Sequence, residues 1–258
     1  MAYDQERTLC AGAQGHCREW LTRTNHPKEA AAAPSEKDAA LQNNRDSGSV
    51  LTWLNALLVD HAIFRLVWSN LSEVIPERLY RSNHPTPARL VTLTKRYGLK
   101  TLINLRGRQS KNGADTLSRD MAARLGLDFI DVSLKGRDAP DPDMILHLHD
   151  LYTSMRTPAL MHCKSGADRT GFAAGLCVLF QGGTTEAAAR QLSIRFGHIR
   201  QARAGVLDEF FRLYARDGEG RKPFLDWVRE DYDRDALRRD FRASRLANFI
   251  NDRVLSRE

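Results

Sequence analysis

The segment Ala159-Leu160-Met161-His162-Cys163-Lys164-Ser165-Gly166-Ala167-Asp168-Arg169-Thr170-Gly171 constrains this chain more than any other. An apolar strand runs without a break into a glycine-bearing loop, and helical spacing opens at Thr170 and continues to Phe180. A strand feeding a helix through so short a loop belongs to a largely parallel sheet with helices on its faces. The chain from residue 78 onward repeats that alternation. Strands are predicted at Arg78–Arg81, Thr101–Leu105 and Phe129–Leu134, in addition to Ala159–His162. Helices are predicted over Thr86–Tyr97, closed by Gly98, over Asp115–Leu125, closed by Gly126, and over Pro142–Met155. Beyond Phe180 the pattern is helical only: Thr185–Phe196, Gly205–Ala215, Pro223–Tyr232 and Asp235 to about Val254. The fold class is therefore α/β, a central, mainly parallel sheet of four to five strands flanked by helices, with a helical C-terminal region.

Residues 1–49 are poor in large apolar groups and read as a mobile N-terminal tail. Residues 50–258 read as one domain, with a core of about 76–216 and a helical extension over 217–258. The apolar stretch Val50–Trp68 is broken by Asp60, His61 and Arg65, so it cannot span a bilayer. A core helix is expected there, with peripheral membrane contact left open. Met1–Glu6 has no basic start followed by an apolar run, and the four cysteines, Cys10, Cys17, Cys163 and Cys177, show no paired framework. A reducing cytoplasm is the expected compartment. Cys10, His16 and Cys17 supply too few ligands for a metal site, and neither metal nor other cofactor is expected.

The 258 residues carry a formal charge of +7, which calls for an anionic partner: phosphate, nucleic acid or a membrane surface. The charge is unevenly placed: −1 over residues 1–50, +6 over 51–199 and +2 over 200–258. It is densest from Arg78 to Lys111, where nine basic residues occur without one acid.

The loop between strand and helix has the chemistry to meet that charge. Backbone N–H groups from Lys164, Ser165, Gly166, Ala167, Asp168 and Arg169, with the N-terminus of the following helix, can converge on one anion. Gly166 and Gly171 permit tight bending and close approach. Arg169 offers two parallel donors to a phosphate. The positive field of such a cradle favours the thiolate form of Cys163, placed for in-line attack on phosphorus. The Thr170 hydroxyl can donate to that sulfur as it departs. Lys164 is either a rim contact or a solvated cation, His162 a structural donor to loop carbonyls, and Cys177 a core residue on one face of its helix. Arg195 and His198 are candidates for the pocket rim.

His162-Cys163, five intervening residues, then Arg169-Thr170-Gly171 resembles the signature loop His-Cys-x5-Arg-Ser/Thr-Gly of the cysteine-dependent protein tyrosine phosphatase superfamily. Rhodanese-type sulfur transferases use a loop one residue shorter. The stretch Leu79-Tyr80-Arg81-Ser82-Asn83-His84-Pro85 is similar to the LYRS-x-x-P strand of bacterial tyrosine phosphatases of the dual-specificity type, and Thr101–Gln109 to their second strand. The likeness covers roughly residues 60–215. It implies a dual-specificity-phosphatase-like fold, a phospho-cysteine intermediate on Cys163 and a carboxylic acid on a loop before the signature strand.

On that loop, Lys135 to Asp143, Asp138 followed by Ala139-Pro140 matches best and Asp141 comes next. Asp143 reads as a helix cap, and Asp131, inside a strand, faces elsewhere. Asp168 competes for the role. Inside an anion cradle it either pairs outward with a Lys or Arg, or stands over the phosphate as an alternative acid. A Gly-x-Asp-Arg loop, here Gly166 to Arg169, also occurs in bacterial phosphatases acting on phosphoinositides as well as phosphoproteins. The resemblance implies a phosphorylated protein as substrate, on phosphotyrosine or with dual specificity. The alternatives are the same chemistry on a phosphoinositide, lipid or other non-protein phosphate, and a non-catalytic phosphate-binding module. No base-reading module for nucleic acid is visible.

Overall fold

The computed structural model describes residues 69–109 and 112–255, with side chains placed to residue 244. The chain divides into two units, Met1–Asp46 and Ser47–Glu258. The expected tail over 1–49, the expected core helix over Val50–Trp68, the Cys10–His16–Cys17 cluster and Lys111 all lie outside the described residues.

Five strands form one sheet: β1 (Ser72–Ile75), β2 (Leu79–Ser82), β3 (Thr101–Asn104), β4 (Asp128–Asp131) and β5 (Ala159–His162), in the order β1-β2-β5-β3-β4. β2, β5, β3 and β4 are parallel, and β1 pairs antiparallel with β2 at the edge. Leu79 and Thr101 both lie opposite Ala159, and Ser82 and Asn104 opposite His162. The three central strands therefore end at one edge, and the loops leaving that edge are brought together, as in other open parallel sheets.

Alternation along the strands divides two cores. Leu79, Ile103 and Met161 face one side, and Tyr80, Leu102 and Leu160 the other. The second side is covered by α1 (Pro87–Tyr97) and α2 (Gly113–Arg124). The first is covered by α3 (Pro142–Ser154), α4 (Asp168–Phe180), α6 (Val206–Asp217) and α7 (Phe224–Glu230). Between these lies the short α5 (Thr185–Ala189), and α8 (Arg234–Leu255) closes the described chain. Phe172 of α4 meets Phe210 and Phe211 of α6, each at 5.4 Å between ring centroids, and Phe210 meets Trp227 of α7 at 5.7 Å. Each such buried ring contributes roughly 1.5–3 kcal/mol of transfer free energy, so the C-terminal helices are part of the core.

Local signals placed most boundaries. The Thr86 hydroxyl caps α1 by accepting from the Arg89 N–H, and Gly98, at φ 63°, ends it in the left-handed region. Three expectations differ. β1 was not predicted, because four residues of mixed polarity at a sheet edge carry no alternating signal. Asp141, not Asp143, caps α3, accepting from the Asp143 N–H at 3.2 Å. The helix predicted over Thr185–Phe196 stops at Ala189 and resumes as a 3-10 turn at Ile194–Phe196. There the Gln191 carbonyl accepts from the Arg81 guanidinium at 2.7 Å instead of continuing a helical ladder.

Candidate active site

Residues 163–167 leave the C-terminal end of β5 and curl back into the first turn of α4. Cys163 is buried, and its Sγ accepts the Gly166 N–H at 3.2 Å. Gly166 sits at φ 75°, and a Cβ there would lie 2.7–2.8 Å from the Ser82 and Asn83 backbone. Both facts demand glycine. Gly171 is equally confined, since a Cβ would come within 2.6 Å of the Gln191 carbonyl oxygen. That lets the segment after α5 pack closely against the first turns of α4. The loop is further tied by Asn70, whose side-chain amide donates to Ser165 O at 2.6 Å and Phe196 O at 2.9 Å.

The largest support from below comes from Arg81 of β2, which is fully buried. It donates to Gly166 O at 2.7 Å and to Gln191 O and Oε1 at 2.7 and 2.9 Å, and its guanidinium lies 3.7 Å from the Phe196 ring centroid. Burial pushes its pKa down to about 10, against the pull of the nearby Cys163 sulfur, so it stays cationic at neutral pH. A cation is thus fixed under the loop within electrostatic reach of Sγ. Replacing it leaves a hole and strips charge-assisted bonds from buried carbonyls. Arg81→Ala is expected to lose roughly 3 kcal/mol or more of stability, read from urea unfolding.

The other signature residues are placed as follows. The half-buried Arg169 guanidinium has no hydrogen-bond or ion-pair partner among the described residues and is available to an incoming anion. Thr170 is fully buried, and its hydroxyl also lacks a partner, including Cys163 Sγ, to which the sequence assigned it. His162 lies beneath, its Nδ1 3.4 Å from Cys163 O and its ring 4.6 Å from that of His84. Ser165 is exposed at the rim, with its Oγ accepting from the Ala167 N–H at 3.4 Å. Lys164 is half-buried, its carbonyl accepting from the His84 N–H at 3.3 Å. Cys177 stays in the core, where burial pushes its thiol up to about 12.

Among the described residues Asp168 pairs with neither Lys nor Arg. Its Oδ1 meets His198 Nδ1 at 2.8 Å, while His198 Nε2 meets Asp208 Oδ2 at 2.6 Å and Arg200 reaches Asp208 Oδ1 at 3.1 Å. Burial alone would lower the His198 pKa, but the two flanking carboxylates raise it to about 9. The folded state then holds this proton more tightly than the unfolded chain. The stabilisation is complete below about pH 6.5 and is lost as pH rises through about 9. His198→Asn should flatten the decline in unfolding midpoint over that window.

The loop carrying Asp138 leans on the signature loop: a Cβ at Gly136 would meet Arg169 Cγ at 3.1 Å. Asp138 is held from the other side by α8. Arg238 donates to both its oxygens at 2.8 and 2.9 Å, and Arg234 to one at 3.4 Å. The Arg238 bonds hold the Asp138 carboxyl below the usual carboxylate range. Arg234 also binds Ala139 O at 3.0 Å and Asp141 at 2.6 Å, and the Tyr232 hydroxyl donates to Pro140 O at 2.9 Å. Asp141 is therefore both helix cap and ion-pair partner. Asp131 does face elsewhere, towards Asn104 and Arg119.

The basic stretch from Arg78 does not form one face. Arg78 lies over Tyr152, Arg81 is inside, and Lys95, Arg96 and Lys100 precede β3 at the edge opposite the signature loop. Among the described residues, no group of three or more His, Cys, Asp or Glu is arranged to hold a metal ion, and no helix is long and apolar enough to cross a membrane.

No protein-family model matches the sequence, and no curated protein does. Solved structures do. TpbA of P. aeruginosa is 22% identical, covering 63% of this chain and 94% of its own, with a TM-score of 0.46. A variant of TpbA in complex with pTyr is 23% identical, covering 58% and 97%, with a TM-score of 0.44. The core catalytic domain of the S. cerevisiae PP-IP phosphatase Siw14, in complex with citrate, is 21% identical, covering 58% and 93%, with a TM-score of 0.46. At these identities the chemistry is decided by this chain's own loop, not by the likeness.

Proposed function

We propose that the chain hydrolyses phosphate monoesters through a phospho-cysteine intermediate on Cys163, with phosphorylated proteins, on phosphotyrosine or with dual specificity, as its substrates. One observation carries the reading. Cys163 Sγ is held by the Gly166 N–H inside a loop that opens a buried helix, and the Arg169 guanidinium of that helix's first turn has no partner among the described residues. The loop N–H groups and Arg169 bind the phosphoryl oxygens and stabilise charge that develops on them. The Cys163 thiolate attacks phosphorus, so an S–P bond forms as the P–O bond to the leaving group breaks. Asp138 gives its proton to the departing oxygen. It then accepts one from a water that attacks phosphorus, breaking the S–P bond and releasing inorganic phosphate and the thiolate. The buried Thr170 hydroxyl, without a hydrogen-bond partner among the described residues, would have to turn to reach the sulfur in that second step. A reducing cytosol suits this chemistry, since the thiol must stay reduced.

The presence of Cys163, Arg169 and Thr170 together argues against a binding-only module. The same chemistry on a non-protein polyphosphate is the second reading, favoured by arginines that gather beside the Asp138 loop. The test is a panel of phosphotyrosine, phosphoserine and inositol phosphate substrates with p-nitrophenyl phosphate as the reference. Hydrolysis of none of them would remove the proposal.

A further inference from the structure

A cavity of about 370 Å³ lies against the Asp138 loop, lined by Arg137, Asp138, Arg203, Arg238, Arg242 and Phe241 with the nearby Ala139 and Val206. Its size is that of a small-ligand site. Four guanidinium groups come to it from three separate parts of the chain: the loop after β4, the turn before α6, and α8. Arg238 is committed to Asp138 and Asp235. Arg137, Arg203 and Arg242 have no ion-pair partner among the described residues. The one carboxylate in the lining, Asp138, is already neutralised by Arg238 and Arg234. Like charges crowded without counter-charges repel, and an anion between them removes that cost. The cavity is also adjacent to the catalytic loop. Arg137 follows Gly136, whose backbone rests on the Arg169 side chain.

We propose that this cavity is a second anion subsite, which takes another phosphate of a multiply phosphorylated substrate while the scissile phosphate lies over Cys163. The proposal rests on the second reading above, the same phospho-cysteine chemistry on a non-protein polyphosphate, and narrows its substrate class to molecules carrying two or more phosphate monoesters. Guanidinium forks match phosphate oxygens in pairs, and a dianion recruits them better than a carboxylate does. An anion bound there also competes with Asp138 for Arg238.

The test uses the full chain with Cys163→Ser, so that ligands bind without turnover, with and without Arg203→Ala/Arg242→Ala. Binding is measured for phenyl phosphate, which has one phosphate, for soluble myo-inositol hexakisphosphate, and for phosphatidylcholine vesicles containing phosphatidylinositol bisphosphate. The expected result is that the double arginine variant loses roughly tenfold or more of the preference for the polyphosphates over phenyl phosphate. Loss with the soluble ligand alone assigns the site to free polyphosphates, and loss with vesicles alone assigns it to lipid headgroups. An unchanged preference in both arms overturns the proposal. So does an equal loss in Arg221→Ala/Arg239→Ala, which removes the same charge outside the cavity. If the intact chain hydrolyses no p-nitrophenyl phosphate, the phosphatase reading falls while arginine-dependent binding stands or falls by itself.

Discussion

Cys163→Ser should reduce hydrolysis of p-nitrophenyl phosphate by on the order of 10³-fold or more while preserving phosphate binding. The argument is geometric. Sγ is buried at the base of the loop and already accepts one loop N–H, at 3.2 Å from Gly166 N. A serine hydroxyl in its place keeps the loop closed but is a far weaker nucleophile near neutral pH. The adjacent His162 places Nδ1 3.4 Å from the Cys163 carbonyl oxygen. The cradle does not depend on sulfur: its shape comes from Gly166, from Arg81 beneath and from Asn70 at the side. Stopped-flow quench of the wild-type protein with a phosphorylated substrate should show phosphate covalently attached to Cys163, and the serine variant should show none. Wild-type turnover with retained activity in Cys163→Ser would require a different nucleophile and would overturn the mechanism.

The parts of this site that were legible in the sequence are those built from near neighbours. The strand, loop and helix from Ala159 to Phe180 are contiguous. Gly166 and Gly171 declare their structural roles by spacing, because the tight turn and the close approach need glycine there. Caps such as Thr86 and Gly98 were equally local. What escaped was long-range. Arg81 read as one cation in a basic run, yet it is folded 85 residues away onto the Gly166 carbonyl. Its signals were a charged residue inside an otherwise buried strand and its place in the Leu79–Pro85 resemblance, neither of which says what it touches. His198 was assigned only to the rim, and its bridge from Asp168 to Asp208 depends on how the segment after α5 folds back. The arginines on Asp138 come from α8, 100 residues on in the case of Arg238, and no periodicity in α8 announces which of its arginines faces the loop. Periodicity shows that a face exists; tertiary packing decides what it meets.

That long-range contact sets the second prediction. As a general acid, Asp138 must be protonated when the leaving oxygen departs, yet here it is ion-paired with Arg238 and its pKa is lowered. Catalysis by this acid therefore requires the carboxyl to leave Arg238. Asp138→Asn should lower kcat by about 10²–10³-fold on an alkyl phosphate, whose alkoxide needs a proton, and much less on p-nitrophenyl phosphate. Asp168→Asn should cost less, to a similar degree on both substrates, because it disturbs the His198 bond and the loop without removing the proton donor. The reverse pattern, with Asp168→Asn the more damaging on the alkyl phosphate, makes Asp168 the acid. The pH profile gives an independent sign. Activity that needs protonated Asp138 falls as pH rises through its pKa, and Arg238 holds that pKa down. Arg238→Ala lets it rise towards the ordinary value, so the descending limb assigned to this acid should move to higher pH. A limb that stays in place would show that the acid is not the group Arg238 holds.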